Sequence, residues 1–448
     1  MRRTIVFIIC FCIASTLAWG DERHSDFRKY WSQWRGPLFT GVAPYGDPPV
    51  EWSESQNVRW KIEIPGKGHA SPIVWGEKIF VLTAVETDKP VSPQEAQKSE
   101  EQLPGWRRNS GKSASKINRF DILAINRQDG RILWQRTAHE EFPHAGTHAE
   151  GSWASNSPVT DGENIYAYFG SYGLYCYDMQ GNLIWEKDLG NMKTKLSFGE
   201  GSSPALHGNT IIVNWDHEDQ SFIVALNKRT GEEIWKVDRD EKTSWATPLI
   251  IEHNGRFQII TNATRRIRSY DLVSGELIWE CGGMTGNVVP SPMVDDGIVY
   301  LTSGFRGNAL LAIDLDLASG DITDSEAIVW SHDKNTPYAP SPLLYGDKLY
   351  LLQENKGFLS CLNTKTGEVY YTRQKLEDVR VTFVSLVGAS DHVYIAGKDG
   401  VTFVLQHGHA FEVLAKNLLD DEFTASPAIV DKEIYLRGYK YLYCIAQD

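Results

Sequence analysis

The chain has 448 residues, 42% of them hydrophobic and 15 of them Trp, so it can build a large core and is not a disordered polypeptide. Its formal charge is −13 at pH 7 and no basic stripe interrupts that balance. That excludes a nucleic-acid binder working by phosphate neutralisation.

In chain order, Arg2 and Arg3 precede an apolar run from Thr4 to Leu17, and Ala18 and Gly20 supply small residues for cleavage. Residues 1–20 are therefore expected to be the signal peptide of a periplasmic or secreted protein. The run is short for a membrane span; an uncleaved N-terminal anchor is the alternative, and no other segment could cross a membrane. Residues 21–56 carry Trp31, Trp34 and Trp52 without periodicity. We expect an extended segment lying along the surface of the main domain with these Trp as anchors, or else an arm that binds a partner.

The first strand signal is NVRWKIEI, residues 57–64, where Val58, Trp60, Ile62 and Ile64 alternate with polar neighbours. No earlier strand is available to pair with it. A Ser-Pro pair followed by a short turn and an apolar strand then recurs, as in SPIVWGEKIF, SPVTDGENIY and SPLLYGDKLY. The anchors are Ser71, Ser157, Ser203, Thr247, Ser291, Ser341, Ser385 and Ser426. After each comes a second pattern, small-x-Asp/Asn, a Gly turn and Trp, as in AINRQDGRILW and ALNKRTGEEIW. It ends at Trp134, Trp185, Trp235, Trp279 and Tyr371; Trp330 ends a copy with an inserted loop, and the copy after Ser385 is degenerate.

Each unit thus holds four strands, A (anchor), B, C (small-x-Asp) and D (Trp), with a period of roughly 41–51 residues apart from the first. Radial repetition of such units is a β-propeller. Eight A strands are present but only seven D strands follow them, and NVRWKIEI supplies the eighth, with Trp60 in the Trp slot. The expected fold is all-β: an eight-bladed β-propeller of four-stranded blades over residues 57–448, closed by the N-terminal strand, with an insertion at 85–118 in blade 1. Cys176, Cys361 and Cys444 fall in the small-residue slots of separate blades, and Cys281 stands alone, so four free, mostly buried thiols are expected.

In a propeller the A–B and C–D turns share one face and the B–C and D–A connections the other. The first set is short here, while the second includes the 85–118 insertion and the segment 137–155, which makes the second face the expected binding face. The segment 137–155 holds His139, His144 and His148, but Pro143, Gly146 and Gly151 argue against a helical His-x3-His metal site, and a solvated polar loop is expected.

The small-x-Asp-x-x-Thr-Gly-x-x-x-Trp pattern resembles the tryptophan-docking motif of quinoprotein-type propellers. That superfamily includes pyrroloquinoline-quinone (PQQ) dehydrogenases and an eight-bladed outer-membrane assembly factor that binds partners without catalysis. The resemblance covers about residues 58–448. It implies a structural docking role for Trp60, Trp134, Trp185, Trp235, Trp279 and Trp330, each packed over the Gly turn of a neighbouring blade. For the dehydrogenases it implies a quinone at the upper channel mouth, stacked on a Trp, with Ca²⁺ on oxygen ligands and an Asp as base. Residues just before the anchors and in the B–C loops ring that mouth. On that basis His69, Asn156, Glu200, Trp245, Arg265 and Arg306 are the candidate cofactor-binding residues. Trp245 would stack, Asn156 and Glu200 would hold Ca²⁺, and Arg265 or Arg306 would meet the cofactor's carboxylates.

The sequence lacks the adjacent Cys-Cys pair that covers the quinone in many such enzymes, and no Asp matches the catalytic base. The leading expectation is therefore a secreted, non-catalytic binding or scaffold module without a cofactor, taking a protein partner or small ligand on its loop-rich face. A PQQ- and calcium-dependent alcohol or sugar dehydrogenase is the alternative. A carbohydrate-active lyase or hydrolase is a third, with Glu200 and Asp216 as its carboxylate pair.

Overall fold

The computed structural model describes residues 27–101, 111–353, 357–379 and 383–447; the leader, the middle of the blade 1 insertion, Lys356 and Thr382 lie outside them. Eight antiparallel sheets succeed one another along the chain. Blade 1 consists of Ile73–Trp75, Lys78–Glu86, Asn118–Asn126 and Ile132–Glu141. The same order recurs to blade 8, where Ala428–Val430, Glu433–Arg437 and Tyr441–Ala446 are completed by Val58–Glu63. The lone strand thus has its partner at the other end of the propeller, in antiparallel register with Trp60 opposite Cys444.

The register explains the small-residue slot. Each D-strand Trp faces the small residue across the C–D pair: Trp134 faces Ala124, Trp185 faces Cys176, Trp235 faces Ala225, Trp279 faces Ser269 and Trp330 faces Ala312. A register shift follows at once in each of these pairs. Such bulges bend a strand and re-aim its side chains, and here they turn the indole toward the next blade. Its Nε1 then donates to a carbonyl of that blade: Trp60 to Arg127 (3.0 Å), Trp134 to Met179 (3.2 Å), Trp185 to Lys228 (2.9 Å), Trp235 to Leu272 (3.1 Å) and Trp330 to Thr364 (2.8 Å). The turn glycine beneath is required. A Cβ on Gly231, at φ +72°, would lie 2.7 Å from the Trp185 ring.

Trp279 departs from the expected docking. Its Nε1 meets Gln258 of its own blade at 3.3 Å, because blade 5's C–D insertion sends Gly320–Asp321 back to pair in parallel with Trp279 and Glu280. The added strand buries the indole completely in place of a Gly turn.

The anchors form a belt around the channel. The backbone N–H of each donates to the hydroxyl of the next, from Ser71 to Ser157 (3.0 Å) and onward to Ser385 and Ser426 (2.9 Å), seven bonds in all. The belt does not close, since Ser71 Oγ is buried without a partner. At that seam Arg127 of blade 1 meets Glu433 (2.5 Å) and Asp431 (2.6 Å) of blade 8, and Arg59 pairs with Glu433.

The N-terminal segment does more than lie along the surface. A strands facing the channel leave backbone groups unpaired, and buried backbone groups need partners. The segment supplies them as it crosses the A–B-turn end of the channel: Trp31 O accepts from Val74 N (2.8 Å), Ser32 O from Thr160 N (3.0 Å), Thr40 O from Leu344 N (3.2 Å) and Gly41 O from Gly388 N (2.9 Å). Arg35, 2% exposed, donates to the carbonyls of Leu386 (2.6 Å), Thr40 (2.9 Å) and Pro342. Trp31 and Trp52 are buried anchors, whereas Trp34 enters the channel.

All four cysteines in the described residues are free and buried. Burial pushes the Cys281 thiol up to about 11 and those of Cys176, Cys361 and Cys444 up to about 12, which keeps them unreactive. Among the described residues no helix is long and apolar enough to cross a membrane.

Candidate functional site

A cavity of about 440 Å³ opens on the loop-rich face, directly above the belt. Its floor is Trp34, whose Nε1 donates to Ser291 Oγ at 3.2 Å, so the N-terminal segment turns a through-channel into a closed cup. Belt hydroxyls from Ser157 to Ser426 ring the floor. The connections just before the anchors, with the B–C loop of blade 5, build aromatic walls. Phe198 stands 6.5 Å from Trp245 and 5.2 Å from His148, which in turn lies 6.3 Å from Phe383; Phe305 and Tyr338 pair at 5.0 Å on the other side.

The blade 1 elaboration forms part of this wall. Gly111–Lys112 of the insertion pairs with Thr147–His148, and the Lys112 ammonium sits 5.1 Å over the Trp153 ring. Glu150 follows at the rim, ion-paired with Lys398 of blade 7. His139 and His144 stay apart from the cavity: one pairs with Glu141 (3.1 Å), the other meets Met192 O (3.0 Å). Among the described residues no three His, Cys, Asp or Glu side chains gather as metal ligands.

Three of the six nominated residues line the cup. Trp245 is fixed by Nε1 donating to Gly199 O (2.8 Å) and by its backbone N–H donating to Val288 O (2.8 Å). His69 packs edge-on to Tyr439 at 5.8 Å, and its Nε2 is buried without a partner. Burial, assisted by Arg437, Lys67 and Lys398, pushes His69 down to about 3, so it is neutral at ordinary pH. Glu200 lines the wall, but both carboxyl oxygens are taken by Ser171, whose N–H reaches Oε2 (2.7 Å) and whose hydroxyl reaches Oε1 (2.6 Å). Burial raises Glu200 to about 7 against those two bonds.

The other three lie elsewhere. Asn156 is buried behind the wall, donating to Ser202 O at 2.7 Å. Arg265 turns outward to Asp240, and Arg306 is exposed beside its neighbour Phe305. Neither lines the cavity. The proposed carboxylate pair does not meet in the cup: Glu200 and Asp216 border a separate cavity of about 10 Å³ behind the wall. Asp216 is locked by Arg239 (2.8 and 3.1 Å) and Ser244 (2.7 Å) in a fully buried network.

These placements bear on the quinone reading. Among the described residues no Lys or Arg lines the cup to meet a polycarboxylate; of the Ca²⁺ candidates, Asn156 gives its amide to Ser202 O and Glu200 accepts two bonds from Ser171, and the two share only a small cavity of about 10 Å³ behind the wall. The residues present do not fit PQQ with Ca²⁺ as the resemblance arranged them. Sequence reasoning missed Phe198, Phe305 and Phe383, although Phe198 and Phe383 stand five and two residues before anchors. It also missed Trp34, for which no local signal exists.

The family model described as outer membrane protein assembly factor BamB matches residues 42–213, 118–280 and 218–447. No curated protein matches. Among solved structures, BamB from Moraxella catarrhalis is 15% identical, with a TM-score of 0.53 over 81% of this chain and 100% of that one. The quinohemoprotein alcohol dehydrogenase ADHIIG from Pseudomonas putida HK5 is 9% identical, with a TM-score of 0.56 over 94% of this chain and 81% of that one. The computationally designed Ika8 protein is 11% identical, with a TM-score of 0.51 over 77% of this chain and 98% of that one. Such identities speak to fold alone. Motif, blade count and the family match over nearly the whole propeller agree: the chain belongs to the PQQ-repeat propeller family described as outer membrane protein assembly factor BamB.

Proposed function

We propose that this protein is a periplasmic or secreted, non-catalytic binding module that receives a ligand or a partner's side chains in the cup on its loop-rich face. One observation carries the reading: the cup is closed below by Trp34 and walled by aromatic residues, while the groups needed for quinone, calcium or paired-carboxylate chemistry are spent on structural bonds. Enclosed, mostly apolar concavities with a few polar groups are the usual form of a binding site. The assembly-factor description of the family agrees with it. Calorimetric titration with PQQ and Ca²⁺, beside a dye-linked alcohol and sugar oxidation screen, tests the proposal. We expect no heat and no dye reduction; micromolar binding with dye reduction would overturn it in favour of a dehydrogenase.

A further inference from the structure

The lining of the cup restricts the chemistry of what it holds. Its walls are ring faces and edges: Phe198, Trp245, Phe305, Tyr338 and Phe383. Its floor is Trp34 ringed by the hydroxyl belt, where Ser291 Oγ also accepts the Trp34 Nε1–H. Each belt oxygen accepts one backbone N–H from the preceding blade, and none is given a protein acceptor for its own proton among the described residues. The floor therefore offers O–H donors at several azimuths around one axis. His69 contributes a neutral imidazole ring to the lining.

Charge is absent from this inventory in usable form. Among the described residues no Lys or Arg lines the cup. Glu150 is already paired with Lys398, and both oxygens of Glu200 are held by Ser171. A charged ligand would lose its hydration without finding a counter-ion, which is costly. A purely apolar ligand would strand the hydroxyl ring, because buried polar groups left unpaired are destabilising. The remaining class is neutral, with apolar faces to lie on aromatic rings and a fringe of hydroxyls to exchange hydrogen bonds with the floor.

We infer that the cup binds a neutral carbohydrate, an oligosaccharide end whose sugar ring stacks on Trp245 and its aromatic neighbours while its hydroxyls meet the serine belt. The inference rests on the non-catalytic reading above and names its ligand. The experiment is calorimetry and intrinsic Trp fluorescence on the full chain with four neutral tetrasaccharides: cellotetraose, maltotetraose, xylotetraose and N-acetylchitotetraose. Tetragalacturonate and the glucosamine tetramer serve as charged counterparts. At least one neutral probe should bind and perturb Trp emission, with the charged probes at least tenfold weaker. Phe305→Ala, on a half-exposed loop where the fold survives, should weaken binding at least tenfold, as should Trp245→Ala, while Arg265→Ala leaves it unchanged. If no neutral probe binds, a charged one binds better, or Phe305→Ala has no effect, the inference fails while the binding-module reading stands. Saccharide binding accompanied by dye reduction would instead sink the non-catalytic reading and keep the ligand class.

Discussion

A Cβ built on Gly170 would lie 1.5 Å from Glu200 Oε2. The turn Gly170–Tyr172 and the carboxyl in the cup wall are thus shaped to one another, with Gly170 at φ +62° and the next residue, Ser171, holding both oxygens. Gly170→Ala must displace the carboxyl and adopt a strained φ. We expect a loss of about 1–3 kcal/mol, seen as a lower denaturant midpoint at unchanged m-value. An unshifted midpoint would mean that the carboxyl can swing aside freely.

Glu200 should also leave a pH signature. Its folded value is raised from 4.5 to about 7 by burial, so between those values the folded state holds a proton that the unfolded chain has released. Stability contributed by this group is therefore full below about pH 4.5 and falls until about pH 7, by about 1–3 kcal/mol given its partial contact with the cavity. The stability difference between the parent and Glu200→Gln, followed by urea denaturation from pH 4.5 to 8, should shift across that window in favour of the variant. Parallel profiles would contradict the assignment.

The seam between blades 1 and 8 carries its own test. There the serine belt is open, and Arg127 and Glu433, with side chains 9% and 10% exposed, bridge the gap. Arg59 and the Tyr435 hydroxyl still reach Glu433 when Arg127 is removed, so Arg127→Met leaves that charge only partly compensated and should cost about 1–3 kcal/mol. Replacing both, as Arg127→Met with Glu433→Leu, should recover much of that loss. A double variant as unstable as the single one would show that the seam depends on more than the charge pair.

The propeller was legible because it is periodic: a Ser-Pro anchor and a Trp slot repeat often enough to count blades, and an odd strand at Val58–Glu63 has one vacancy to fill. The docking rule was legible for the same reason, and failed at Trp279 where an insertion supplies Gly320–Asp321. The site was less legible. Trp245 and His69 were found by position before an anchor, yet whether a mouth residue faces the axis depends on loop path. That path turned Asn156 to Ser202 and Arg265 to Asp240. Trp34 was read as a surface anchor, and its place as the cup floor could not be found, because its partner Ser291 lies 257 residues away.

The strand Val58–Glu63 also sets an order of events. It is synthesised some 380 residues before Tyr441–Ala446, the strand it must pair with. Until then the emerging chain has an unpaired edge at both ends and an uncovered channel floor, since Trp34 and Arg35 seat against blades 5 to 7. Contacts of such separation are slow to form, and open strand edges invite wrong pairings meanwhile. The intermediate blades can stack as they appear, but the cup exists only once the ring has shut. A truncated or stalled chain would therefore carry most of the fold and no cup.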